Sequence, residues 1–215
     1  MIFDLDGTLV DSAGEIHVAL ARAFDDRGLE PLSKAQVERL IGRGVRSLVE
    51  RALAVRGADA ATSDSMVEAF DAHYARTVGT TASLFPGAFD GLRVLRGAHC
   101  PLSVVTNKPR AFTETLLAKL DVLEFFTAVV AGDDGVARKP AGDMLLAACV
   151  RMGTEPRKSL MLGDSETDVR AARAAGCPVW CVPYGYNEGR DPGTLACDRI
   201  VATVEEAARR VVEAA

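Results

Sequence analysis

The sequence has few of the residues that mark a transition-metal site or a disulfide framework. Its 215 residues include five cysteines and three histidines. The cysteines are odd in number and lack the paired spacings of a zinc site, so we expect reduced, buried thiols that pack as small apolar side chains. The histidines, at positions 17, 73 and 99, lie far apart along the chain. Any bound metal is therefore expected to have oxygen ligands.

Two further absences bear on location and partners. No apolar run reaches 18 residues and no charged leader precedes an apolar stretch, so we expect a cytoplasmic protein without a membrane partner. The net charge of −5 provides no general cationic surface, which disfavours nucleic acid as a partner. With 48% hydrophobic and 26% charged residues, the composition is that of a globular protein. The oligomeric state is left open.

Short apolar runs alternate with helical patterns over the second half of the chain. Buried strands are predicted at 102–105, 128–131, 160–162 and 179–182, with helices near 110–120, 141–152 and 166–175 between them. A first strand ends at Ile2 and Phe3. Because a buried central strand usually has five or six residues, we expect the recorded start to be late. The alternation predicts an α/β fold with a doubly wound parallel sheet.

Residues 13–83 have a different, mostly helical pattern without a convincing strand. The sequence SAGE at 12–15 fits a capping box that opens a helix running to Gly28, and SKAQ at 33–36 fits a second. Phe-Pro-Gly at 85–87 then marks the return to alternation. We therefore predict a core formed by 1–12 and 84–215, with a helical cap domain at 13–83.

Two carboxylates follow the first strand, within the sequence DLDGT at 4–8. Asp4 is placed at the carboxyl end of a buried strand, where open α/β sheets bind ligands. In an extended segment Asp4 and Asp6 point the same way, and Gly7 then lets the chain turn. Two like charges in one small volume need a cation or a proton. A plain turn is the alternative interpretation.

Polar side chains also follow three further strands: Thr106, Asn107 and Lys108; Lys139; and Asp164 with Asp168. The first three offer a hydroxyl, an amide and an ammonium to an anion, although Thr106 and Asn107 are equally suited to capping the next helix. Asp168 suits the first turn of a helix, whereas Asp164 precedes that turn. If the strands are parallel neighbours, these groups converge on an oxygen-lined cation site beside an anion site. Such a pair of sites serves phosphoryl transfer.

This ordered set of motifs resembles the haloacid dehalogenase superfamily, specifically its phosphatase branch. The resemblance covers nearly the whole chain and implies a Rossmann-like core with an inserted cap. More narrowly, VTNKP at 105–109, GDD at 132–134 and PYGYN at 183–187 look like the phosphoglycolate phosphatases. The implied activity is that of a Mg²⁺-dependent phosphomonoesterase acting on a small phosphorylated metabolite, with 2-phosphoglycolate as the leading candidate.

The resemblance also implies roles for the acidic residues. Asp4 would attack phosphorus to form an aspartyl-phosphate, and Asp6 would protonate the leaving alcohol and later activate water. Mg²⁺ would be held by the Asp4 carboxylate, the Asp6 main-chain carbonyl and Asp164. Asp168 would lie behind these ligands and support them.

Thr106, Asn107 and Lys139 are implied to bind the phosphoryl oxygens. In the predicted cap, Arg43 lies between two glycines and Arg46 follows three residues later. Because a guanidinium group pairs well with a carboxylate, we hypothesise that one of these arginines contacts the substrate's carboxylate. The alternative is that both are solvated loop and helix residues.

Other activities remain open: a phosphatase for another small metabolite or a sugar phosphate, or a mutase similar to beta-phosphoglucomutase. Asp6 and the cap disfavour a non-enzymatic phospho-acceptor switch, since a switch must keep its acyl phosphate. Relatives that cleave phosphonates or dehalogenate lack the second carboxylate, so Asp6 disfavours those reactions too. Lys34, the one lysine at 13–83, is interpreted as a surface residue rather than a Schiff-base lysine.

Overall fold

A computed structural model describes residues 1–214, and strands and helices alternate along it. The strands are β1 (Ile2–Phe3), β2 (Val10–Asp11), β3 (Ser83–Leu84), β4 (Ser103–Val105), β5 (Ala128–Val130), β6 (Met161–Gly163), β7 (Val179–Cys181) and β8 (Arg199–Ile200). The α-helices are α1 (Ala13–Asp25), α2 (Lys34–Glu38), α3 (Val45–Val55), α4 (Ser63–Thr77), α5 (Ala88–Gly97), α6 (Arg110–Lys119), α7 (Asp143–Met152), α8 (Glu166–Ala175) and α9 (Val204–Glu213). No helix described here has both the length and the apolar character that a membrane crossing requires.

Six strands form one sheet in the order β5-β4-β1-β6-β7-β8, and all neighbouring pairs are parallel. The central strand β1 pairs on both sides, with Ile2 opposite Ser103 of β4 and Met161 of β6. From β1 the chain builds first toward β4 and β5, and then on the other side toward β6, β7 and β8. This reversal is a topological switch point, where open α/β sheets bind ligands. The predicted doubly wound sheet is confirmed.

Successive residues of β1 face opposite sides of the sheet, as strand geometry requires. Ile2 belongs with Met161 to a buried cluster that includes apolar residues of α7 and α8. Phe3 belongs with Leu162 to a second cluster, which includes residues of α5, α6 and α9. Two apolar residues in a row therefore anchor β1 between two helical layers, and Asp4 is the first residue beyond this apolar anchor.

Helices α1 to α4 lie between β2 and β3, which pair antiparallel with Val10 opposite Leu84. Helix α1 packs against α2 and α4, and α4 also packs against α3. The sequence pattern does not predict this ribbon, because two-residue strands carry no periodicity. The ribbon lies at the two ends of the predicted cap, and the division into a core and a cap domain at 13–83 stays a prediction.

The predicted capping box at Ser12 is wrong, although helix α1 does begin directly after it. Ser12 makes no capping hydrogen bond, and its Oγ donates to Asp6 Oδ1 at 2.5 Å. Glu15 turns inward instead, where its Oε1 accepts from the Tyr74 hydroxyl at 2.7 Å. The charge-assisted hydrogen bonds to Asp6 and from Tyr74 form in place of the local capping bonds. The second predicted box, at 33–36, is confirmed.

The five cysteines are free thiols. Cys149, Cys177 and Cys181 are buried, as expected, whereas Cys100 and Cys197 are only partly buried. The expectation of burial is wrong for these two, which lie in loops before β4 and β8.

Helices α5 and α9 approach each other closely at Gly91. A Cβ atom at Gly91 would lie 2.8 Å from the carbonyl carbon and oxygen of Val204. We expect Gly91→Ala to lower the free energy of unfolding by about 1–3 kcal/mol, because the two helix backbones must separate. Gly97 ends the same helix and has open space at its Cβ position, so Gly97→Ala is the matched control. Urea unfolding measures both, and equal destabilisation by the two substitutions would contradict this packing account.

Candidate active site

Asp4 lies at the carboxyl end of β1, and only 6% of the residue is exposed. Its N–H donates to the Leu162 carbonyl at 2.9 Å, which continues the pairing of β1 with β6. Its Oδ1 lies 2.8 Å from Nζ of Lys139. The same ammonium lies 2.7 Å from Oδ1 of Asp168. Lys139 therefore bridges two buried carboxylates.

Asp4, Asp164 and Asp168 form a buried acidic cluster in which carboxylate oxygens lie within 4.8 Å of one another. Burial, followed by the charge of Asp168, raises the pKa of Asp4 well above its usual range, and Lys139 only partly opposes this rise. Burial and the charge of Asp168 also raise the pKa of Asp164 to about 7. One ammonium thus does not offset the cluster's negative charge. Closely spaced carboxylate oxygens fit a hard divalent cation such as Mg²⁺.

Asp164 is held in place by donors on both of its oxygens. Oδ1 accepts from the Thr8 hydroxyl at 3.1 Å, and Oδ2 accepts from the N–H groups of Tyr186 at 2.7 Å and Asn187 at 3.2 Å. Gly7 makes room for this carboxylate: its φ is +90°, and a Cβ atom there would lie 2.6 Å from Asp164 Oδ2. The chain turn after Asp6 and the position of Asp164 therefore depend on each other.

Asp168 has its oxygens engaged by protein groups. Oδ1 accepts from Lys139, while Oδ2 accepts from the Ser165 hydroxyl at 2.7 Å and the Ser165 N–H at 3.2 Å. This arrangement suits the predicted role of Asp168 as a support for the metal ligands. That role stays a prediction.

Asp6 lies two residues after Asp4 but has different partners. Its Oδ1 accepts from Ser12 Oγ at 2.5 Å and from Lys108 Nζ at 2.7 Å. Within residues 1–214 no donor contacts Oδ2. Both carboxylates line one cavity, yet Lys139 holds the first and Lys108 the second. The two neighbouring carboxylates therefore have different surroundings and can take different chemical roles.

Thr106 and Asn107 follow β4 at the same edge of the sheet as Asp4, and they line the same cavity. Thr106 is buried, and its Oγ1 accepts from the N–H of Lys108 at 3.2 Å. Asn107 Nδ2 donates to the carbonyls of Gly42 and Lys139, both at 3.0 Å. Both amide hydrogens are thereby used, so a phosphate contact by Asn107 would fall to its main-chain N–H. Phosphate binding by Thr106, Asn107 and Lys139 stays a prediction.

The structure does not bring the two predicted cap arginines to the cavity. Arg43 pairs with Glu188 through two nitrogens, one of them at 2.8 Å. Arg46 is exposed and pairs with Asp64 at 2.7 Å. Neither lines the cavity, so their contact with a substrate carboxylate stays a prediction that requires them to leave these partners. The side chain of Lys34 is 51% exposed, which agrees with its interpretation as a surface residue.

The cavity between the helices α1, α3 and α4 and the core has a volume of about 40 Å³, enough for roughly three water molecules. Its core side carries the carboxylates of Asp4 and Asp6 and the ammonium of Lys108. Its opposite side is built mainly from apolar residues: Ile16, Ile41, Val45, Leu48 and Phe70. A small ligand with its charge concentrated toward the core suits this shape.

Sequence reasoning missed Tyr186 as part of the site. Besides its N–H bond to Asp164, its hydroxyl accepts from the N–H groups of Ser12 and Ala13, at 2.9 and 3.0 Å, and donates to Asp11 at 2.8 Å. It thereby links the metal-ligand candidate to the start of α1. The motif at 183–187 drew attention to this residue, but nothing in the motif's spacing indicates these contacts.

Comparison with known proteins places these motifs in one family. The family model "Haloacid dehalogenase-like hydrolase" matches residues 1–182. The phosphoglycolate phosphatase of Nitrosospira multiformis is 39% identical over 214 residues, which cover 98% of this chain and 94% of that protein. The phosphoglycolate phosphatase of Escherichia coli is 38% identical and covers 87% of this chain and 82% of its own length. A crystal structure from Haemophilus somnus, described as a "predicted phosphoglycolate phosphatase", superposes with a TM-score of 0.89 at 26% identity, covering 97% of this chain and 96% of its own.

We expect protons and Mg²⁺ to compete for the acidic cluster. Because the pKa of Asp164 is raised from 3.8 to about 7, this group makes the metal-free fold less stable as pH rises through that interval. Stabilisation by added Mg²⁺ should therefore be larger at pH 8 than at pH 6. The Tm with and without Mg²⁺ measures this for the wild type, for Asp164→Asn, and for Asp25→Asn as an exposed control. A Mg²⁺ effect that is independent of pH, or that survives unchanged in Asp164→Asn, would contradict the assignment.

Proposed function

Because the chain belongs to the haloacid dehalogenase-like hydrolases and is a phosphoric monoester hydrolase, we propose that it is Mg²⁺-dependent, acts through an aspartyl-phosphate on Asp4, and hydrolyses 2-phosphoglycolate to glycolate and phosphate. The observation that carries this proposal is the division of partners between Asp4 and Asp6. Lys139 pairs with one carboxylate, whereas Lys108 and Ser12 hold the other. A nucleophile and an acid-base group need such different surroundings.

In the first step an oxygen of Asp4 forms a bond to phosphorus as the bond from phosphorus to the ester oxygen breaks. Asp6 gives its proton to that leaving oxygen, and the alcohol departs. The two donors on Asp6 both contact Oδ1, which fixes the carboxyl group and leaves Oδ2 to carry the proton. Lys139 holds Asp4 in position throughout.

In the second step a water molecule attacks the phosphorus of the aspartyl-phosphate. Asp6, now a carboxylate, accepts the proton of that water, and the bond between phosphorus and the Asp4 oxygen breaks. Inorganic phosphate is formed and both carboxyl groups return to their starting states. One difficult displacement thus becomes two easier ones that use the same two side chains.

The cations of the site stabilise charge on the transferring group. Burial lowers the pKa of Lys139, but the charges of Asp168 and Asp4 outweigh burial and raise it above its usual range, so the ammonium stays charged. When bound, Mg²⁺ would be held by Asp4, the main-chain carbonyl of Asp6 and Asp164, and it supplies positive charge to the phosphoryl oxygens. Four carboxyl groups and two ammonium groups surround this place, and a divalent cation offsets their excess of negative charge.

The small cavity and the phosphoglycolate phosphatase names of the relatives support a small acidic substrate. A sugar phosphate brings several hydroxyl groups that need hydrogen-bond partners when buried. The side of the cavity opposite the core offers mainly apolar groups. A short substrate whose polar atoms all lie near the core leaves fewer polar groups unpaired.

We expect Asp4→Asn to abolish phosphate release from 2-phosphoglycolate while keeping the fold, because the amide preserves the shape of the carboxylate but is a poor nucleophile. Asp6→Asn should lower kcat by about 10²- to 10⁴-fold, since it removes only acid-base assistance. Phosphate release with Mg²⁺ and circular dichroism measure activity and folding, with Asp25→Asn as the control. Undiminished turnover by Asp4→Asn would refute the nucleophile assignment.

A further inference from the structure

One cation lines the cavity among the residues that the structure describes, and it comes from the core. Lys108 is 6% exposed, and its Nζ lies 2.7 Å from Asp6 Oδ1. Arg43 and Arg46 are bound by carboxylates elsewhere. A substrate carboxylate that enters this cavity away from the core would lie against mainly apolar walls. An unpaired carboxylate in such surroundings is costly.

Contacts from the helices above the cavity hold Lys108 in place. Its Nζ lies 4.9 Å from the ring centroid of Tyr74, on helix α4. The Tyr74 hydroxyl donates to Glu15 Oε1 at 2.7 Å, and Glu15 Oε2 accepts from the N–H of Gly79 at 2.8 Å. Glu15 and Tyr74 are each only 1% exposed. The ring face occupies one side of the ammonium and Asp6 another, so a lysine with three donor hydrogens keeps capacity for one more anion.

The order of groups along the cavity wall matches the order of groups in one class of substrate. Asp4 is the proposed partner of phosphorus, and Asp6 is the proposed partner of the ester oxygen. Lys108 contacts Asp6 directly. An anion bound by Lys108 must therefore lie within a few ångströms of the ester oxygen. A carboxylate on the carbon that bears this oxygen meets that requirement.

We propose that Lys108 is the specificity-determining residue of the site and pairs with the carboxylate of 2-phosphooxy carboxylic acids. The inference rests on the proposed function, and it assigns recognition of the substrate's acid group to the core rather than to Arg43 or Arg46. Tyr74, fixed by Glu15, acts as a positioning residue that holds the ammonium over the cavity.

The test compares kcat/KM for 2-phosphoglycolate with kcat/KM for 2-hydroxyethyl phosphate, which replaces the carboxylate by a neutral group on the same two-carbon chain. Lys108→Met removes the charge and keeps the length of the side chain. We expect it to lower the ratio of the two values by about 30-fold or more, since it removes one partner of a buried charge pair. Lys108→Arg should retain most of the ratio. Lys34→Met, the same change at an exposed lysine, should leave the ratio unchanged.

If Lys108 acted only by holding Asp6 in place, Lys108→Met would slow both substrates equally and leave the ratio unchanged. An unchanged ratio in Lys108→Met would therefore overturn the proposal. Tyr74→Leu removes the ring face, and we expect it to lower the ratio as well. A merely structural role for Tyr74 would slow both substrates equally and would overturn its assignment as a positioning residue. If the wild type shows no preference for 2-phosphoglycolate, the proposed substrate itself is wrong. A wild-type preference that persists in Lys108→Met overturns only the role of Lys108.

Discussion

The pairing of Lys139 with Asp4 and Asp168 is the interaction on which the site depends. Its Nζ lies 2.8 and 2.7 Å from the two carboxylates, and 1% of the lysine side chain is exposed. Burying uncompensated charges costs several kcal/mol for each ion, and Asp164 adds a third carboxylate within 4.8 Å of the others. Burial and the charge of Asp168 raise the pKa of Asp4 at the end of β1, and the ammonium of Lys139 opposes that rise. The remaining negative charge of the cluster fits the divalent cation proposed above.

A second set of contacts joins the helices at 13–77 to this charged centre. Asn107 donates to the Gly42 carbonyl, the ammonium of Lys108 lies over the ring of Tyr74, and two arginines of these helices and their connecting loop contact Glu188. Asn107 and Lys108 directly follow β4, whereas Glu188 lies in a turn beyond β7. Buried apolar residues of these helices and of the core also belong to one cluster, so polar contacts and apolar packing together join the helices to the core.

Much of the fold and the acidic centre could be predicted because the signals are local. Apolar runs ending at polar residues identify the strands, and a parallel sheet brings Asp4 and Asp164 to one edge. Contacts between distant segments could not be predicted. Ser12 carries a capping motif, but the turn at Gly7 places Asp6 within its reach. Arg43 lies between glycines as a ligand-binding residue would, yet a carboxylate 145 residues later pairs with it. Sequence spacing gives no orientation of one element against another.

The central claim is that Asp4 carries the phosphoryl group during turnover. Borohydride reduces an acyl phosphate of aspartate to homoserine, so quenching the reaction with 2-phosphoglycolate and Mg²⁺ into borohydride marks the side chain that was phosphorylated. Peptide mass spectrometry then locates the mark. The account predicts homoserine at position 4, formed only in the presence of substrate. Phosphate release with position 4 unmodified, or reduction at Asp6, Asp164 or Asp168 instead, would contradict it.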